Sequence, residues 1–286
     1  SETFSFEMDV YGKVTGKTEI TNEPIAFMLN KVNTFTNKPF ANIEFTLKDA
    51  EGNVVKTKMT EDGYRVAAED GSETFAVDEN GYAEFRYLPA GVYKLVENTP
   101  IGYISDDEFS ISLTDAHALS APNKLTVENC PTGLKILKRE ASSGNPLSGA
   151  GFRIKIRDGL GFETLSFTKL ENGSFFYDPN GTVMDMMVDG KGEILIHGLP
   201  LGDLWIEESI VPEGYFPVSA PRIELKKEHT STIPFDVTIK NSKYVKLGMD
   251  SDWWEFPALM LGIALAVGGA VTFIVVKRKR TKKSEV

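Results

Sequence analysis

The sequence predicts an all-β chain: tandem β-sandwiches followed by one C-terminal transmembrane helix. Three observations carry that reading. Between Ile25 and Tyr244 helical periodicity is nearly absent, and short alternating runs such as "GVYKLVE" and "GEILIHGLP" are separated by Gly, Asn, Asp and Pro clusters. The block "DENGYAEFRYLPAGVYKLVE" (78–97) recurs as "DGKGEILIHGLPLGDLWIEE" (189–208), at a constant offset of 111 residues. The run from Ala258 to Val276 holds 19 residues without a charge. At about 1.5 Å per residue such a helix spans a hydrocarbon core of about 30 Å.

The repeat extends well beyond that block. "KVNTFTNKPFANIEF" (31–45) matches "KREASSGNPLSGAGF" (138–152), with Pro39 under Pro146 and Phe45 under Phe152. "ENTPIGY" then matches "EESIVPEGY", and "KLTVEN", closing at Asn129, matches "VTIKN", closing at Asn241. Two copies of one domain are therefore expected at 24–130 and 131–244, each near the usual sandwich size of about 100 residues. The segment "TFSFEMDVYGKVTGKTEITN" resembles the end of the first copy, so 1–23 reads as the terminal strands of a third, upstream copy. That orphan strand pair is expected to be poorly ordered or to cling to its neighbour. With no signal peptide at its start, the chain reads as a processed or truncated piece.

After the second copy come a juxtamembrane linker (245–257), the membrane helix (258–276) and a basic tail (277–286). "DWWEF" before the span offers interfacial aromatics, and "KRKRTKK" after it is the cluster expected to stay in the cytoplasm. The topology that follows is a single-pass cell-surface protein, N-terminus outside and C-terminus cytoplasmic.

Composition excludes several functions. The formal charge of −10 becomes −15 once the tail is set aside. A surface that acidic repels phosphate backbones, so nucleic acid is not expected as a partner. The single Cys130 cannot form an internal disulfide, and His117, His197 and His229 lie too far apart in sequence to suggest a metal cluster. No metal and no cofactor are expected. "DENGYAE", "DPNGTVMD" and "DGKGE" look like calcium loops, but their Gly arrives early for that pattern, and hairpin turns are the better reading. No Ser-His-Asp or Cys-His arrangement and no phosphate loop is present, so a turnover enzyme is not expected.

What remains is a set of polar residues on apolar faces. Side chains alternate along a strand, so a residue shares its face with those two and four positions away. Lys31 follows Phe27 and Leu29, and Lys138 follows Leu134 and Ile136. Glu97 continues Tyr93 and Leu95, and Glu208 continues Leu204 and Ile206. Asn129 continues Leu125 and Val127, and Asn241 continues Val237 and Ile239. Each copy thus aims one Lys, one Glu and one Asn at its own core. Lys135, the rival in the second copy, sits on the other face with Leu137.

Buried polar groups without partners cost several kcal/mol, so each trio must meet. Burial disfavours charge, which makes an amine a nucleophile and a carboxyl a proton donor. An amine held against a carboxamide, with a carboxyl to move protons, can displace ammonia by proximity and general acid–base help. The product is a Lys–Asn isopeptide bond. Glu97 and Glu208 then act as assisting groups, in a reaction that occurs once per domain.

The ordered set of motifs, "K…P-[FL]-x-x-[AI]-x-F", "LPxG", "E…P-x-GY" and the closing "[VI]-x-N", resembles the B-type repeat domains of Gram-positive collagen-binding surface proteins and the SpaA-like pilin domains. The resemblance covers roughly 24–244. It implies a prealbumin-like, inverse immunoglobulin sandwich in which Lys31 pairs with Asn129 beside Glu97, and Lys138 with Asn241 beside Glu208. Asn33 and Glu140 stand where the family often has Asp. It further implies a structural surface protein, an adhesin stalk or a minor or basal pilin, with cell wall or pilus subunits as partners. The alternative it leaves open is an adhesin whose β domains themselves bind host matrix such as collagen. The linker lacks the LPxTG sorting motif of such proteins, and "VYGK" at 10–13 only faintly resembles the pilin motif whose lysine receives the next subunit.

Overall fold

The computed structural model describes residues 6–8, 10–11, 14–16, 23–219 and 221–244. The expected membrane helix, its linker, the basic tail, Gly12 and Lys13 of the "VYGK" stretch and Asn22 lie outside the described residues. Among the described residues every regular element is a β-strand, and no helix is long and apolar enough to cross a membrane. At the N-terminus Phe6–Met8 pairs antiparallel with Val14–Gly16.

The first sandwich sets a four-stranded sheet against a larger one. The smaller sheet runs Phe109–Leu113, Gly91–Glu97, Glu44–Lys48, Phe75–Ala76. The larger runs Tyr103–Ile104, Asn123–Pro131, Ala26–Asn33, Tyr82–Arg86, Gly63–Val66, Thr57–Thr60. Period-2 alternation turns Phe27, Leu29, Phe45, Leu47, Phe85, Leu95 and Val127 into one core between the sheets. The second sandwich repeats the plan with two five-stranded sheets. One contains Glu193–His197, Gly133–Glu140 and Phe235–Asn241, and the other contains Gly151–Asp158, Gly202–Ile210 and Arg222–Leu225. Leu134, Ile136, Phe152, Ile154, Phe167, Ile196, Leu204 and Ile206 fill its core.

One pairing decides the chemistry. In each sandwich the first and last strands lie side by side and parallel, which their distance in sequence allows. Lys31 is in register with Val127, and Lys138 with Ile239. The asparagine two residues further along the partner strand is then the diagonal neighbour of the lysine on the same face.

Only Thr132 separates Asn123–Pro131 from Gly133–Glu140, so the last strand of one sandwich leads almost directly into the first strand of the next. Thr132 is held on three sides. Its N–H donates to the Gly102 carbonyl (2.9 Å), its carbonyl accepts from Gly198 N–H (3.1 Å), and its hydroxyl donates to the Leu199 carbonyl (2.7 Å). Gly102 has φ of +83°, and a Cβ there would sit 1.9 Å from the Gly198 carbonyl oxygen, so no other residue fits this approach. Rings from both sandwiches fill the rest of the junction: Phe35 packs on Phe176 (centroids 5.8 Å) and on His197 (4.6 Å). Burial pushes the His197 pKa down to about 4, so this imidazole is neutral in the folded protein.

The calcium-like loops are not hairpins, because the strands on either side of each belong to different sheets; those at 78–82 and 189–193 are tight turns closed by their own aspartate. Asp78 Oδ1 accepts the N–H groups of Asn80 and Tyr82 (2.9 and 2.8 Å), and Asp189 Oδ1 those of Lys191 and Glu193 (2.8 and 2.9 Å). Among the described residues no cluster could hold a metal ion.

Candidate crosslinking sites

The structure brings Lys31, Glu97 and Asn129 together in the core of the first sandwich, and Lys138, Glu208 and Asn241 in the core of the second. Both lysines and both asparagines are 0% exposed. Lysine and asparagine come from adjacent parallel strands of one sheet, and the glutamate projects from the facing sheet, where Glu97 pairs with Phe45 and Glu208 with Phe152. A site assembled from both sheets forms only when the sandwich has closed.

Within each trio the contacts are the same. Lys31 Nζ donates to Asn129 Oδ1, and Lys138 Nζ to Asn241 Oδ1. The amine also meets the carboxylate: Lys31 Nζ lies 3.1 Å from Glu97 Oε2, and Lys138 Nζ 2.7 Å from Glu208 Oε1. The asparagine nitrogen faces that same carboxylate. Asn129 Nδ2 donates to Glu97 Oε1 at 2.5 Å, and Asn241 Nδ2 to Glu208 Oε1 and Oε2 at 2.9 and 3.1 Å. Each glutamate therefore touches both nitrogens that an amide exchange would involve.

The surroundings favour an uncharged amine. Burial pushes the Lys31 pKa below its ordinary value, opposed by the nearby charges of Glu97 and Glu128. Burial lowers Lys138 in the same way, opposed by its hydrogen bond and charge contact with Glu208. In the second sandwich the Phe152 ring lies under the ammonium position, its centroid 5.4 Å from Nζ. The rival Lys135 points outward and pairs with Glu193 at 2.9 Å.

Asn33 and Glu140 have a shared task. Asn33 Nδ2 donates to the Tyr103 hydroxyl (3.1 Å), and the Tyr215 hydroxyl donates to Glu140 Oε1 (3.5 Å). The residue two places after each lysine thus engages the tyrosine of the "GY" motif and ties the loop after the glutamate across the end of the sandwich. Sequence reasoning also missed the groups that reach each carboxylate from that loop, Ser105 Oγ on Glu97 Oε2 (2.8 Å) and Val218 N–H on Glu208 Oε2 (3.3 Å). They follow the glutamates by eight and ten residues through irregular chain, where alternation gives no signal.

The model of the SpaA prealbumin-like fold domain matches residues 26–125 and 132–250, and the chain belongs to that family. Among solved structures it is similar to a streptococcal ancillary pilin, at 18% identity over 80% of this chain and 65% of that one, with a TM-score of 0.37. It therefore spans about two thirds of that pilin. It is also similar to the shaft pilin SpaA from Lactobacillus rhamnosus GG (17% identity, 78% and 99% coverage, TM-score 0.39). A third similarity is to the Bacillus anthracis TIE protein (20% identity, 77% and 34% coverage, TM-score 0.35). Comparison with curated protein sequences gives no match.

Proposed function

We propose that this chain is a pilin-like structural protein of the Gram-positive cell surface, in which each sandwich fastens its first strand to its last by an autocatalytic Lys–Asn isopeptide bond. The observation that carries this reading is the double contact of each glutamate, with the lysine Nζ and with the asparagine Nδ2.

The chemistry follows from those contacts. The neutral lysine amine attacks the asparagine Cγ, and the Nζ–Cγ bond forms as the carbonyl electrons move onto Oδ1. The glutamate carboxylate takes a proton from Nζ and, now a carboxylic acid, delivers it to Nδ2. The Cγ–Nδ2 bond breaks, ammonia leaves, and the carbonyl reforms. The glutamate ends as it began, and no oxidant, metal or cofactor enters the balance. Preorganisation in a dry core supplies the effective concentration that two free side chains in water lack. Because the products stay joined, each site reacts once.

The arrangement suits a stalk. Tandem sandwiches joined by one residue, each closed covalently between its terminal strands, transmit force without relying on hydrogen bonds and are indifferent to reducing conditions. The uncharged 258–276 segment and the basic residues after it would hold the stalk in the membrane, leaving the sandwiches outside to display whatever lies upstream and to meet other surface or pilus subunits. On intact cells producing the chain, added protease is expected to remove epitopes placed in the sandwich loops and to spare one fused after Val286. Loss of that C-terminal epitope from unbroken cells would contradict the topology.

A further inference from the structure

Ser105 takes no part in the bond exchange described above, yet it is 9% exposed and its hydroxyl donates to Glu97 Oε2 at 2.8 Å. The segment that carries it is fixed. Tyr103 and Ile104 pair with Pro131 and Cys130, on the strand that bears Asn129, and the Tyr103 hydroxyl accepts from Asn33.

The carboxyl needs such a constraint because the terminal torsion of a glutamate is broad and roughly two-fold. Rotation about it would turn Oε1 away from the Asn129 nitrogen. The second sandwich meets the same need by other means. The Val218 backbone N–H holds Glu208 Oε2 at 3.3 Å, and Asn241 Nδ2 bridges both carboxyl oxygens. In the first sandwich Asn129 Nδ2 reaches Oε1, and a side-chain hydroxyl supplies the contact on the outer oxygen.

We propose that Ser105 is a positioning residue for crosslinking of the first sandwich: its hydroxyl sets the plane of the Glu97 carboxyl, so that Oε1 addresses the leaving nitrogen of Asn129 while Oε2 faces Lys31. The inference rests on the isopeptide reading and adds a residue to it. It also makes the two sites separable, since only the first depends on a side chain at this place.

The test compares Ser105→Thr with Ser105→Val, side chains of nearly equal shape of which only the first keeps the hydroxyl, alongside Ser105→Ala. The full chain is made by cell-free synthesis in detergent, quenched at intervals in acidic denaturant, and digested to follow the joined Lys31–Asn129 and Lys138–Asn241 peptides by mass. Thr is expected to crosslink the first sandwich at close to the wild-type rate, and Val and Ala to be slower by a factor on the order of ten to a hundred, the scale on which small misplacements act. The Lys138–Asn241 peptide should form at an unchanged rate in all of them. Equal rates for Thr, Val and Ala in a chain that does crosslink would overturn the positioning role alone. Absence of the Lys31–Asn129 peptide from the wild type would overturn the crosslink reading and this role with it.

Discussion

Stretched between handles at Glu23 and Tyr244, the wild-type chain is expected to show no unfolding step in either sandwich. Force entering at Glu23 runs along the first strand to Lys31, crosses to Asn129, passes through the Thr132 junction to Lys138 and leaves through Asn241. The residues between 31 and 129, and between 138 and 241, never come under tension. Lys31→Ala removes the first shortcut. The first sandwich should then unfold under load and release the chain between the two positions, which are 98 residues apart in sequence, roughly 320–350 Å of contour at full extension. Lys138→Ala should do the same for the second sandwich. Wild-type traces with unfolding steps of these lengths would mean that hydrogen bonds alone hold the terminal strands.

The second large effect is on equilibrium stability. Each bond would close a loop spanning 98 or 103 residues, and on the chain-entropy model a crosslink of that span contributes about 4.7 kcal/mol by restricting the unfolded chain. Removing it is therefore comparable to the whole stability of a small domain, about 5–15 kcal/mol. The two ways of removing it are not equal. Asn129→Ala loses the crosslink but leaves Lys31 beside Glu97. Lys31→Ala also leaves the glutamate, whose side chain is 0% exposed, without the amine it contacts, a further cost of about 1–3 kcal/mol for a buried polar group left unpartnered. Guanidinium titration should order the first sandwich as wild type, then Asn129→Ala, then Lys31→Ala, with the second sandwich unchanged. In Asn129→Ala the sign of the pH effect is fixed as well. The free Lys31 holds its proton less tightly folded than unfolded, so the unfolded chain binds more protons in the window below the ordinary lysine range. Stability should rise with pH through that window.

How much of this was legible in the sequence depends on the kind of contact. Lys31, Glu97 and Asn129, with their counterparts, could be read because strand alternation is local and because the repeat presented the same inward-facing trio twice. Their meeting needs long-range register, and the parallel pairing of the first and last strands supplies it. Ser105 was not legible, since it lies beyond a two-residue strand and reaches Glu97 through a loop. The Asn33–Tyr103 and Glu140–Tyr215 contacts were equally hidden, because different residue types perform one task in the two copies. The junction escaped for a different reason. The tight approach of Gly102, Thr132 and Gly198 exists only once both sandwiches are in place, and no local pattern announces it.

The measurement that bears most directly on the central claim is the intact mass of the purified protein under denaturing conditions, beside Lys31→Ala and Lys138→Ala. The wild-type mass is expected to lie below the sequence mass by two molecules of ammonia. Each single variant should fall short by one, after correction for the substitution. A wild-type mass equal to the sequence mass would contradict it, leaving Lys31–Glu97–Asn129 and Lys138–Glu208–Asn241 as buried hydrogen-bonded clusters and nothing more.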